Sequence, residues 1–266
     1  MFGILKTYRF LKATIFGQLN GIKTILFNFR MLPFHEAKHL PIFLYGKVDI
    51  SQCTGRIEFE NNDNLHHGQW SIGNTYSTVY GQNTCYNTTY LAIQGIMKLG
   101  HDGHISNGCR ISVFKNAVLS FGRGILINPD SIISTYKRIE FGDDCRVSWQ
   151  CQIYDTNFHF MISDNAMVLR RTEPVYIGKE VWIGHNVTIG KGAALGDGCI
   201  LAAHSLLNKN YINEKNCIFA GCPAEKKKDG YRRILSENCE AAIEEFFENN
   251  PTKNSCKFDI DTMSCE

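Results

Sequence analysis

No stretch of this chain reaches the roughly 18 uninterrupted apolar residues that a membrane-spanning helix needs, so no spanning segment is expected. The N-terminus has basic residues but no compact apolar core followed by a small-residue cleavage site, so a secretory signal is not expected either. CxxC pairs are missing, and no Cys/His cluster has zinc-site spacing. The 11 cysteines therefore suggest neither a disulfide framework nor a structural metal. There is no P-loop, and no GxGxxG between a strand and a helix. A dominant charge is missing too: 28 Lys and Arg stand against 26 Asp and Glu, a formal +2. With no RNA- or DNA-binding motif, nucleic acid is not an expected partner. These absences leave a reduced, cytosolic protein of one soluble domain with appendages. Its 266 residues, 44% hydrophobic, are enough for a sizeable core.

What the sequence does hold is a beat of six. From Ile177 the chain divides into IGKEVW, IGHNVT, IGKGAA, LGDGCI, LAAHSL and LNKNYI. The first position is always aliphatic: Ile177, Ile183, Ile189, Leu195, Leu201, Leu207. The second is glycine at Gly178, Gly184, Gly190 and Gly196. The fifth is small or β-branched at Val181, Val187, Ala193, Cys199 and Ser205, with Tyr211 the exception. Such a period fits neither an amphipathic helix, which repeats near 3.6, nor a half-buried strand, which repeats near 2. The glycines further disfavour helix. A fixed period calls for stacked units in which the aliphatic residue points inward and the small residue sits near a corner. Glycine or asparagine is expected where a corner needs positive φ. Weaker units precede the run: LGHDGH, ISNGCR, FGRGIL, FGDDCR and VSWQCQ, with two-residue corner insertions near Lys115 and Lys137. Cys109, Cys145, Cys151, Cys199 and Cys217 fall at equivalent places, where a free thiol serves as a small buried residue. The array breaks after Ile153 and resumes at Ile177.

These units, the interruption, the "VWIG" hexad and the closing "AGCPAEKKK" occur in the order found in the hexapeptide-repeat acyltransferases, which the chain resembles from about Leu99 to Arg233. The resemblance is nearest to members that modify sugars of bacterial surface polysaccharides. It implies an all-β fold, a left-handed parallel β-helix of triangular cross-section with three hexads per coil. It also implies a homotrimer with sites between subunits, and an acetyl-CoA-dependent O-acetyltransferase acting on a sugar or surface-polysaccharide precursor. Transfer would be direct, in a ternary complex, with no metal required. Alternatives are acetylation of an amino-sugar or xenobiotic, or, in another class, a silent β-helix scaffold or a γ-carbonic-anhydrase-like metal protein using His159 and His185.

Along the chain, residues 1–40 are basic and amphipathic, fit either to cap the coils or to touch the inner face of a membrane. Residues 41–233 hold the β-helix, opened by a strand in Pro41 to Ile50, with distorted early coils over Ser51 to Gln94 and an excursion over 160–174. Residues 234–266 hold a helix ending before Pro251 and a mobile tail.

The stretch "YDTNFHF" supplies the chemistry. A sugar hydroxyl is a poor nucleophile, and imidazole, with a pKa near neutrality, is suited to take its proton. The resemblance puts the catalytic base at His159, just before the excursion. Asp155 would hold its tautomer, or else cap the turn through backbone hydrogen bonds. Asn128 matches a family asparagine near the acceptor, expected about two coils earlier. Trp182 matches an indole near the thioester, and His185 would line the donor groove. Ala202 and Ala203 would let the pantetheine arm approach, and Lys209 with Lys226, Lys227 and Lys228 would meet the cofactor's phosphates. The histidines of "HDGH", His101 and His104, fall at corner positions expected to be exposed, and "HHG" at His66 has no assigned partner.

Overall fold

The computed structural model describes residues 18–60, 65–74, 87–259, 261–262 and 264–265. Three parallel sheets form the faces of a prism, and the chain visits them in strict rotation. The first face runs from Ile42–Leu44 to Cys217–Ala220, the second from Val48–Asp49 to Leu206–Leu207, and the third from Arg56–Phe59 to Asn210–Tyr211. The chain thus winds seven coils of a left-handed β-helix and one further strand.

Register explains the beat of six. First-position residues stack into columns, one residue per coil. On the first face the column is Ile105, Ile127, Val147, Ile183, Leu201 and Phe219. All six are completely buried. Every strand passes the same interior at the same height within its coil, so only an aliphatic or aromatic side chain fits there. The fifth-position thiols lie at the corners and donate to carbonyls of the following coil, Cys145 to Gly178 O (3.0 Å) and Cys151 to Gly184 O (3.1 Å). Burial pushes Cys145 and Cys109 up to about 12 and Cys151 up to about 11, which leaves them inert as nucleophiles.

The corners correct one expectation. Positive φ falls on the fourth residue of the hexad, at Asp144, Gln150, Glu180, Asn186, Gly192, Gly198 and His204. Most second-position glycines are needed for a different reason, Gly190 being the exception with nothing nearer than 3.8 Å to an added Cβ. A Cβ on Gly142 would stand 2.7 Å from the backbone of Gly178, and one on Gly178 would stand 2.8 Å from the backbone of Gly196. Coils touch there, backbone to backbone. Gly142→Ala is therefore expected to cost at least about 1–3 kcal/mol of stability, read as a lower denaturation midpoint.

The early coils are regular where described. Arg56–Phe59, Trp70–Ile72 and Thr89–Ile93 pair in parallel with their successors. Trp70 is fully buried, and its Nε1 donates to Gly100 O at 2.9 Å. His104, expected to be exposed, is instead buried between Ser71 Oγ (2.7 Å) and Ser106 Oγ (3.0 Å). Desolvation lowers it to about 4, so it is neutral at physiological pH. His66, His101 and Asp102 meet at the exposed surface nearby, with His101 Nδ1 2.8 Å from the carboxylate.

Both ends carry appendages. Helices α1 (Gly21–Met31) and α2 (Phe34–Ala37) lie at the first coil, and the expectation for Met1 to Gly17 lies outside the described residues. At the other end Glu225–Asp229 turns back antiparallel to Cys217–Ala220. Helix α3 (Glu237–Asn249) follows, N-capped by Ser236, and the tail forms a short antiparallel pair, Phe258–Asp259 with Ser264–Cys265. Among the described residues no helix is long and apolar enough to cross a membrane.

Candidate functional site

The excursion leaves the fifth coil between Gln152–Tyr154 on the second face and Val175–Ile177 on the third. Its neck is pinched shut by an antiparallel bridge between Thr156 and Thr172 and by Asn157 N donating to Arg171 O at 2.9 Å. Beyond the neck, Met161–Ile162 and Val168–Leu169 form a small hairpin. His159 stands just outside the neck. Phe158 takes a positive φ of 61°, its N–H donates to Thr156 Oγ1 (3.0 Å), and His159 N donates to Asn157 O (2.6 Å). This tight turn presents the imidazole to solvent, and its ring makes no hydrogen bond to the described residues. A ring so placed is free to meet an incoming hydroxyl.

Aromatic rings wall the same edge. Phe114 stacks on Tyr136 with centroids 3.8 Å apart, and Phe158 meets Tyr136 (5.7 Å) and Tyr154 (5.4 Å) edge-on. Residue-by-residue reading missed this wall, because its members come from three successive coils. A signal was present: Phe114 and Tyr136 each immediately precede a lysine at which the hexad phase slips, Lys115 and Lys137.

Asp155 does not orient His159. It is completely buried, and its carboxylate accepts from three consecutive backbone N–H groups, Tyr136 (2.7 Å), Lys137 (2.6 Å) and Arg138 (2.7 Å). Its work is to hold the corner of the preceding coil, which is the turn-capping alternative. Burial is the larger influence on its carboxyl and raises it above the ordinary value, with the three donors opposing.

The other candidates divide between edges of the prism. Asn128 lies one coil before His159, not two, and on the corner between the first and second faces, whereas the excursion leaves the corner between the second and third. Its Nδ2 donates to Val147 O at 3.0 Å. Above it on the same corner come Ser148, Gly184 and Ala202, each donating its N–H to a carbonyl of the coil above. Trp182 sits beside this column on the first face, 41% exposed, with Nε1 3.4 Å from Ser148 Oγ. His185 and Ala203 are half-buried on the same corner. Two further residues join them: Trp149 stacks flat on His185 (4.9 Å, 11° between planes), and His204 meets His185 edge-on at 5.1 Å. Asn128, Trp182, His185, Ala202 and Ala203 thus share one edge, and His159 lies on another. The two histidines of the metal-protein alternative are likewise on different edges.

The lysines also separate. Lys209 is exposed on the corner that His159 occupies, two coils further on, and has no ion pair among the described residues. Lys226 is already paired with Glu214 (3.1 Å) and Asp229 (3.0 Å), which raises its pKa, and Lys227 lies 3.7 Å from Glu225. Lys226 is thus engaged by two carboxylates, Lys227 makes only a loose exposed surface contact, and Lys228 rests over the Tyr231 ring at 5.2 Å.

Comparison with known proteins agrees with this architecture. The profile of the bacterial transferase hexapeptide (six repeats) matches residues 174–209. A Klebsiella pneumoniae protein, described as an uncharacterized 24.8 kDa protein in the cps region, is 34% identical over 196 residues, which is 74% of this chain and 82% of the relative. The crystal structure of the polySia-specific acetyltransferase NeuO covers 82% of this chain and 91% of its own, with a TM-score of 0.53 at 16% identity, a likeness of fold.

Proposed function

The chain belongs to the bacterial hexapeptide-repeat transferases, and on that premise we propose that it is an acetyl-CoA-dependent O-acetyltransferase whose acceptor is a hydroxyl of a surface polysaccharide or its sugar precursor. The observation that carries this reading is the exposed imidazole of His159 at the neck of the excursion, beside an aromatic wall able to pack against sugar rings. His159 removes the hydroxyl proton as the oxygen attacks the thioester carbonyl. The tetrahedral intermediate collapses, the C–S bond breaks, and the imidazolium returns the proton to the departing thiolate. The products are acetyl ester and free CoA, with no acyl-enzyme. A relative in a cps region, and a fold neighbour named for polysialic acid, make sugar polymers the first acceptors to test. The site of action is the cytoplasm, where acetyl-CoA is supplied and the ten described cysteines remain thiols.

One subunit does not hold the whole site. About five residues of extended chain, roughly 16 Å, separate one corner of the prism from the next. A donor lying along Trp182, Ala202 and Ala203 is therefore remote from the His159 of the same chain. A cyclic homotrimer solves this by setting the His159 edge of one copy against the Trp182 edge of the next. Lys209, uncommitted on the His159 edge, is then the cation offered to the donor's phosphates. The hairpin supports such an assembly: Ile162, Met167, Val168 and Leu169 are all more than half exposed, a surface suited to a second copy. Ile162→Asp with Val168→Asp is expected to convert trimer to monomer in sedimentation experiments and to abolish transfer.

The reaction itself is tested by thiol release from acetyl-CoA against a panel of nucleotide sugars and oligosaccharides. Initial rates with an accepted sugar should give the intersecting pattern of a ternary complex. A covalent acetyl-enzyme in the intact mass spectrum would exclude direct transfer.

A further inference from the structure

Helix α1 is apolar on two sides: it buries Phe27 and Met31 in the core beside Thr24 and Asn28, and it leaves a second apolar stripe in solvent. Its hydrogen-bonding residues face the protein. Thr24 Oγ1 accepts from Leu44 N (3.0 Å), Asn28 Oδ1 accepts from Ile42 N (3.1 Å), and Asn28 Nδ2 donates to Ile42 O (2.7 Å), all on the first strand of the first face. Its opposite side carries Ile22, Ile25, Leu26 and Phe29, at i, i+3, i+4 and i+7, exposed by 75%, 43%, 60% and 46%. Phe34 of α2, 73% exposed, extends the stripe, its ring 5.8 Å from that of Phe29. Single exposed hydrophobics are ordinary, but a contiguous stripe of five large ones marks an interaction surface.

Charge says what covers it. Residues 1–40 carry Lys6, Arg9, Lys12, Lys23, Arg30 and Lys38 against Glu36 alone, a net +5. The whole chain is +2, so residues 41–266 sum to −3. In sequence, the positive charge is concentrated in the segment that forms the stripe and precedes it. Arg30 and Lys38 are exposed beside it, while the single acid, Glu36, is buried. A second copy of this face would set cation against cation, and so would residues 1–17, whose three charges are all positive. A surface that is negative outside and apolar just beneath offers what both features need. We infer that the α1–α2 face lies on an anionic lipid bilayer, with the stripe at the boundary between headgroups and acyl chains, and with Arg30 and Lys38 among the phosphates.

The test is co-sedimentation of the full chain with vesicles. One set contains roughly one-third phosphatidylglycerol in phosphatidylcholine, and the other is phosphatidylcholine alone. The wild type binds the anionic set and not the neutral one. Ile25→Ser, Leu26→Ser and Phe29→Ser combined lower the partition coefficient at least about tenfold. Arg30→Gln with Lys38→Gln lowers it several-fold and weakens the salt dependence. None of these side chains is buried, so circular dichroism and the melting temperature stay at wild-type values and confirm the fold. Wild type that ignores anionic vesicles, or a triple variant that binds as before, overturns the inference. A triple variant that changes the oligomeric state assigns the stripe to a second copy, and overturns it too.

Discussion

His159→Ala is expected to lower acetyl transfer about 10²–10⁴-fold, the range that one general base contributes. It is expected to leave the melting temperature unchanged, since the imidazole is exposed and bonded to no described residue. His159→Gln should do the same, because the glutamine amide keeps polarity and size but takes no proton. The loss should fall on kcat, with CoA affinity nearly unaltered, because the donor edge with Trp182 and Ala202 is not the edge that His159 occupies. The paired edges give a sharper version. Subunits carrying His159→Ala and subunits carrying Trp182→Ala, each weak alone, should regain activity when unfolded and reassembled together. In the mixture some sites join an intact histidine to an intact tryptophan from its neighbour. Full activity in the His159→Ala enzyme would end its assignment as the base. Failure of the mixture to recover would place both residues of a site in one chain.

The second large effect is on stability. Asp155→Ala strips the fully buried acceptor from three consecutive, partly buried backbone N–H groups, those of Tyr136, Lys137 and Arg138. Each orphaned donor costs about 1–3 kcal/mol. The three share one turn and relax together, so the sum is expected near 3–5 kcal/mol. Asp155→Asn should lose less, since its amide oxygen still accepts. Urea denaturation measures both. A catalytic orienter would behave in the opposite way, with wild-type stability and a collapsed kcat, and that outcome would refute the corner-holding role.

The winding of the chain was legible because one interior dictates one residue type at every sixth place. Ile183 and Leu201 stand above Val147 for the same reason that they stand six and twenty-four residues from Ile177 in the sequence. Assignment to corners was not legible in this way. Asn128 closes a first-face strand and the excursion follows a second-face strand, but the slips at Lys115 and Lys137 obscure the count that would separate them. The glycines misled because two requirements coexist in each hexad. Glu180 and His204 tolerate positive φ at the fourth position, while Gly142 and Gly178 answer to contact between coils. Asp155 and Lys226 looked functional because both are charged. Only their partners, three amides for one and two carboxylates for the other, show that they are already engaged.

A helix built by repetition contains no instruction to stop, since the last turn offers the same row of amides and carbonyls as every turn before it. Left bare, that row would recruit another molecule, and then another, into a fibre of indefinite length. The strand Glu225–Asp229 runs the wrong way for a further turn to copy, is exposed throughout, and carries three lysines in succession. The "AEKKK" ending that looks like a cofactor motif therefore closes the first-face edge against a further parallel strand.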